Sequence, residues 1–89
     1  MTETRLEVYQ NAAGLLTRMG FAARAEASYK DARQPRPVTA LVTDAPPVLI
    51  GHAISQVATD PEPHLPTTSA RIPNAAKGKP GDPLHVWWP

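Results

Sequence analysis

The sequence contains no cysteine, few aromatic residues and no long apolar run. Without cysteine the chain has no disulfide framework, no thiolate nucleophile and no cysteine-ligated zinc site. Its longest run of large aliphatic residues, Val48–Ile50, is far too short to span a bilayer, and the polar, acidic start does not resemble a signal peptide. We therefore expect a soluble protein of a reducing compartment, located in the cytoplasm or, for a bacteriophage protein, in the virion.

Neither sign of charge is in excess. Nine Lys and Arg residues against eight Asp and Glu residues leave a formal net charge of +1, so long-range electrostatics favour neither nucleic acid nor an anionic membrane as a partner. A chain of 89 residues forms one domain at most. The abundance of Ala, Arg and Pro relative to Lys, Asn, Phe and Ile is typical of a GC-rich genome and indicates a bacterial or bacteriophage source.

Proline is absent from the first 34 residues, which contain the clearest local signal, a helix over residues 4–21. Thr4 and Glu7 have the spacing of a capping box. Gly20 is placed to end the helix in a left-handed conformation, after which Phe21 can fold back onto Leu16. Two adjacent apolar stripes cover about half of the predicted helix surface. Such a wide stripe predicts a helix that lies across a sheet.

The segment over residues 21–30 admits two interpretations. Small or aromatic residues alternate with polar ones over ten positions, which favours a half-buried strand. Alanine is also the best helix former, and Phe21, Ala25 and Tyr29 share one helical face, so a second helix is the alternative.

Two further strands are predicted in the proline-containing half of the chain. Residues 38–43 are rich in β-branched side chains. Residues 48–58 begin with an alternation in which Val48, Ile50, His52 and Ile54 share one face. The expected fold is therefore α+β, with one N-terminal amphipathic helix packed on a small antiparallel sheet in the order α-β-β-β. This body covers residues 1–58.

The core of this body is predicted to consist of its large apolar residues. They are Leu6, Val8, Tyr9, Leu15, Leu16, Met19, Phe21, Tyr29, Val38, Leu41, Val42, Val48, Ile50 and Ile54.

A proline-rich segment follows the body. All eleven prolines of the chain come after residue 34, and residues 59–83 contain only two large apolar side chains. Such a segment buries too little apolar surface to offset its ordering entropy, so it is predicted to be an extended tail, partly in the polyproline II conformation. The chain then ends in a compact apolar segment, residues 84–89. In an extended conformation Trp87 and Trp88 point to opposite sides, so this segment is predicted to be either a fourth strand or an anchor on a partner.

From these features we predict a non-catalytic protein–protein interaction protein, a small accessory or structural subunit of a larger bacterial or bacteriophage assembly. Its body would dock and its tail would wrap along a larger protein or assembly, with self-association as a further option. The predicted partner-binding residues are Leu65, Ile72, Leu84, Val86, Trp87 and Trp88.

Two other functions fit the sequence less well. Lysines beside aromatic residues can hold single-stranded nucleic acid, and the residues for this alternative are Lys77, Lys79, Trp87 and Trp88. The second alternative is a phage-encoded inhibitor of a host protein.

No catalytic residue, cofactor or metal site is predicted. Side chains of the types found in catalytic triads occur, but without a nucleophile elbow or an oxyanion-hole signature. A spaced group of carboxylates and a histidine has no second cluster to complete a metal site. These residues are Asp44, His52 and Ser55 for the triad types and Asp60, Glu62 and His64 for the ligand types.

Overall fold

The computed structural model describes residues 3–72 and 84–89. Within these ranges the chain forms two α-helices and a four-stranded antiparallel sheet, which confirms the α+β class. The elements in chain order are α1 (Arg5–Arg18), β1 (Ala23–Tyr29), β2 (Val38–Thr43), α2 (Pro47–Val57), a 3-10 turn (Glu62–His64), β3 (Thr68–Arg71) and β4 (His85–Trp88). Neither helix is long and apolar enough to cross a membrane in the part of the chain that is described.

Helix α1 begins and ends where the sequence predicts. The Thr4 hydroxyl accepts from the Glu7 N–H at 3.1 Å, and the Glu7 carboxylate accepts from the Thr4 N–H at 3.1 Å. At the other end Gly20 has a φ of 101°, and the Phe21 N–H donates to the Leu16 carbonyl at 3.1 Å. This is the hydrogen bond of a Schellman ending. Both helix ends are therefore determined by local side-chain and backbone chemistry.

The two glycines of this region are expected to respond to alanine with opposite signs. An added Cβ would meet no atom within 4 Å at either Gly14 or Gly20, so only the backbone conformation distinguishes them. Gly20→Ala forces a side chain into positive φ and should lower the free energy of unfolding by about 1–2 kcal/mol. Gly14→Ala, inside α1, should raise it by about 0.5–1 kcal/mol. Urea unfolding of both variants checks this, and shifts of the same sign would contradict it.

Strand β1 settles the open question over residues 21–30 in favour of a strand. Ala23 and Ala25 pack against the helices, and Arg24 and Glu26 lie on the other face, because their cross-strand neighbours belong to the cluster on that face. The register shifts between Glu26 and Tyr29, where β1 has a bulge. The bulge inserts one residue and so moves Tyr29 to the face opposite Ala25. The sequence alternation had placed these two residues together, which was wrong.

Helix α2 replaces the strand predicted over residues 48–58, and that prediction was wrong. Pro47 is the first helical residue, a position where its fixed φ is favourable and its missing N–H costs nothing. Ile50, Ala53 and Ile54 are buried with helical spacing. Val48, assigned to the core as a strand residue, is instead 76% exposed in the first turn.

The sheet order is β1-β2-β4-β3, so the last strand in the sequence lies in the middle of the sheet. Val86 of β4 is opposite Val42 of β2 on one side and Ala70 of β3 on the other. The predicted order of a helix followed by two strands holds for α1, β1 and β2, and the sheet is then completed after α2 by β3 and β4.

The described part of the predicted tail, residues 59–72, packs on the body. Arg5 donates through Nη2 to the Pro63 carbonyl at 3.0 Å, and the Tyr9 hydroxyl donates to the His64 carbonyl at 2.6 Å. Strand β3 then pairs with β4. The remainder of that predicted tail, residues 73–83, lies outside the described residues.

The sheet has a buried cluster on each face. The helix-side cluster contains the buried residues of α1 and α2 with Leu41 and Ala45. The opposite-face cluster consists of Ala40, Val42, Val86 and Trp88, with partly buried Tyr29, Val38, Ala70, Ile72 and Leu84 around them. No residue of either helix belongs to the opposite-face cluster.

Candidate functional site

The residues predicted to bind a partner are all placed within the chain's own fold. The tryptophans take opposite faces of β4, with Trp88 in the opposite-face cluster and 7% exposed. Its ring lies 5.3 Å from the ring of Tyr29, measured between centroids. Trp87 is partly buried against the helix-side cluster. The other four are Leu65 at the helix-side cluster and Ile72, Leu84 and Val86 at the opposite-face cluster.

Of the residues of the nucleic-acid alternative, the structure describes the two tryptophans. Lys77 and Lys79 lie outside the described residues. Trp87 and Trp88 are engaged on opposite faces of the sheet, so they do not form one stacking platform.

Of the polar side chains named from the sequence, that of Asp44 has a structural contact. Asp44 follows β2 and accepts from the Ala22 N–H at 3.0 Å, whereas His52 and Ser55 are exposed on α2. Asp60, Glu62 and His64 are not gathered around a common point, and no group of three or more potential ligands is found in residues 3–72 and 84–89.

Four of the described titrating groups have a shifted pKa, and the shifts of Tyr9 and Asp31 are the largest. Burial raises the pKa of Tyr9 to about 12, with Arg5 acting in the opposite direction. A side-chain hydrogen bond from Arg33, followed by the Arg33 backbone N–H, lowers the pKa of Asp31 to about 2. Tyr9 holds the 3-10 turn, and Asp31 orders the connection after β1. Both side chains are engaged in contacts within the chain.

Two strands of the described sheet, β1 and β3, have an unpaired outer edge, and β1 with seven residues is the longer of the two. The Asp44 N–H donates to the Ala22 carbonyl at 3.3 Å, which identifies this pair as hydrogen-bonded. Hydrogen-bonded pairs recur at every second residue of an antiparallel ladder. The backbone groups of Arg24 and Glu26 therefore face β2, and those of Ala23 and Ala25 face away from it. Among the described strands, none pairs with this outward edge.

The side chains along the β1 edge are small on one face and charged on the other. Ala23 and Ala25 are small and lie on the helix side, packed against the helix-side cluster. On the opposite face Arg24 and Glu26 form an ion pair of 3.1 Å. Opposite charges two residues apart in an alternating segment are visible in the sequence, but their position at a sheet edge follows only from the strand order. For that reason the sequence prediction missed this site.

No protein-family model matches this chain, and comparison with curated proteins and with solved structures found no similar protein.

Proposed function

We propose that this chain is a non-catalytic protein–protein interaction protein, a small accessory or structural subunit of a larger bacterial or bacteriophage assembly in the cytoplasm or virion. Its body docks through the outer edge of β1, where a strand of the partner extends the sheet. The observation that carries the proposal is the outward-facing backbone of Ala23 and Ala25, which no strand of the described chain satisfies.

Strand addition suits this edge for physical reasons. The exposed N–H and C=O groups supply directional hydrogen bonds to an extended partner. Edge strands are usually blunted by bulges, proline or inward-pointing charge. In β1 the bulge comes only after Glu26, so the regular edge includes Ala23 to Glu26. Arg24 and Glu26 add charges that can select the partner and the register.

The described residues of the predicted tail support this choice of surface over the tail itself. Leu65, Ile72, Leu84, Val86 and both tryptophans already pack in the chain's own clusters. Using them as an anchor on a partner would first require part of the sheet to open. The β1 edge needs no such rearrangement.

The test is affinity capture with the full chain as bait in lysate of the source organism. Ala25→Pro removes an outward N–H without removing a hydrogen bond between β1 and β2. Arg71→Pro is the matched control. The Ile72 N–H donates to the Leu84 carbonyl and so faces β4, which means that the N–H of the preceding residue, Arg71, faces outward at the edge of β3. We expect wild type and Arg71→Pro to retain the same defined protein and Ala25→Pro to lose it. The retained protein is either an untagged copy of this chain or a different protein. Retention by Ala25→Pro, once circular dichroism shows that it is folded, would overturn the proposal.

A further inference from the structure

We infer that the partner of β1 is a second copy of this chain, joined antiparallel to it about a two-fold axis at Ala25. The inference rests on the proposed function and names the partner of that same edge, so that the chain would enter a larger assembly as a dimer. Ala25 lies opposite Ala25 of the second copy, and Arg24 lies opposite Glu26 of the second copy. The two four-stranded sheets become one continuous sheet with both sets of helices on the same face.

The backbone limits the registers in which β1 can pair with itself. Residues whose backbone groups face outward must meet outward-facing residues of the other copy. Because Ala23 and Ala25 face outward, the two-fold axis can pass any of the four residues of the regular edge. With the axis at Ala23, Arg24 would be opposite Ala22 and no charge pair would form, which leaves Arg24, Ala25 and Glu26 to compare. A register that differs by one residue puts the axis between two residues. Outward-facing residues of one copy are then opposite inward-facing residues of the other, so the donors do not align with the acceptors.

The charges distinguish these three registers. With the axis at Arg24, two guanidinium groups are directly opposite each other, and with the axis at Glu26, two carboxylates are. Like charges in directly opposite positions destabilise a sheet. With the axis at Ala25, Arg24 of each copy lies opposite Glu26 of the other, so both cross-strand pairs are attractive. The edge is self-complementary in this one register.

The small side chains fit the same arrangement. The helix-side contacts across the axis would be alanine against alanine, which lets the two strands approach without a steric conflict. Helix α1 packs on β1, so pairing brings the two α1 helices to the same side of the joined sheet. The interface is isologous, and it uses the β1 edge of both copies. Pairing therefore closes at a dimer.

Charge exchange provides the first test, by sedimentation equilibrium of the purified full chain over a concentration series. Wild type is expected to dimerise. Arg24→Glu alone and Glu26→Arg alone should each raise the dimer dissociation constant at least about tenfold, because each turns two attractive pairs into repulsive ones. The double variant Arg24→Glu with Glu26→Arg should restore dimerisation. The control Arg71→Glu, which is at the opposite edge of the sheet, should not alter it.

Single cysteines test the register directly, since the chain has no native cysteine to interfere. Residues opposite each other in a hydrogen-bonded pair have Cα atoms about 5.5 Å apart, which is within disulfide range. Ala25→Cys should therefore form a disulfide-linked dimer under mild oxidation. Ala27→Cys, whose side chain is the more exposed of the two, lies beyond the regular edge and away from the axis, so it should not link to itself.

Three results would overturn the inference. These are a monomer at every concentration, equal dissociation constants for the single and double charge variants, or crosslinking of Ala27→Cys as fast as that of Ala25→Cys. A monomer whose capture of a different protein is abolished by Ala25→Pro would remove this inference and leave the proposed function standing. A monomer whose capture is insensitive to Ala25→Pro would remove both.

Discussion

A chain that ends at Leu84, and so lacks β4, is expected to lose cooperative unfolding altogether. Val86 and Trp88 are buried and Trp87 is partly buried, and burial of each such side chain contributes about 1.5–3 kcal/mol. Among the described strands, β3 would also lose its one neighbour and β2 would lose one of two. The total is comparable with the about 5–15 kcal/mol that stabilises a typical domain. Near-UV circular dichroism and urea unfolding measure this loss.

The matched control for this truncation is a chain that lacks only Pro89. This residue is exposed and lies outside β4, so its removal should leave the urea midpoint unchanged. An unfolding curve for the chain ending at Leu84 that matches the control would show that residues 85–88 are an appendage and not a central strand. For this reason point substitutions at the β1 edge are better tests of binding than deletions of the C-terminal segment.

Leu16→Ala is expected to lower the free energy of unfolding by about 2–5 kcal/mol. The side chain of Leu16 is 0% exposed in the helix-side cluster. Its removal deletes apolar contacts and leaves a cavity that the surrounding α1, α2 and β2 can fill only partly. Urea unfolding monitored by tryptophan fluorescence gives the change in free energy.

Met19→Ala is the control for Leu16→Ala. Leucine and methionine have similar helix propensities, and both residues lie in the last turns around the C-terminal end of α1. Met19 is 42% exposed, so its truncation should cost no more than about 0.5–1 kcal/mol. This is also where the sequence prediction erred, since Met19 had been assigned to the core. Equal losses for the two variants would contradict the burial that separates them.

The sequence predicted the elements whose ends are determined by contacts between residues close in the chain. The capping box at Thr4 and Glu7 and the terminating Gly20 determine α1 through contacts within five residues, and both are confirmed. The strand over residues 23–29 was favoured by alternation. Its bulge was not foreseen, because a bulge depends on pairing with β2 and not on β1 alone.

Helix α2 was missed because its apolar residues fit both the two-residue period of a strand and the 3.6-residue period of a helix. Val48, Ile50 and Ile54 alternate like strand residues, and Ile50, Ala53 and Ile54 have helical spacing. The proline at the first helical position was the signal that could have decided between them.

The β1 edge could not be derived from the sequence, because an edge is a property of strand order. Residues 84–89 were predicted as either a fourth strand or an anchor, and the structure has them as the central strand β4. Whether β1 lies inside the sheet or at its margin depends on where that distant strand inserts. Long-range pairing of this kind leaves no local pattern around Arg24 and Glu26.

The central position of β4 has a kinetic consequence. Strands β1 and β2 are close in sequence, as are β3 and β4, so each pair can form early. Joining the pairs requires β4 to reach β2 across α2 and β3, and closing that long loop should be the slow step of folding. Until it closes, β2 and β4 both present a free edge. Refolding at high concentration is therefore expected to favour exchange of the β3–β4 pair between chains, giving entangled aggregates.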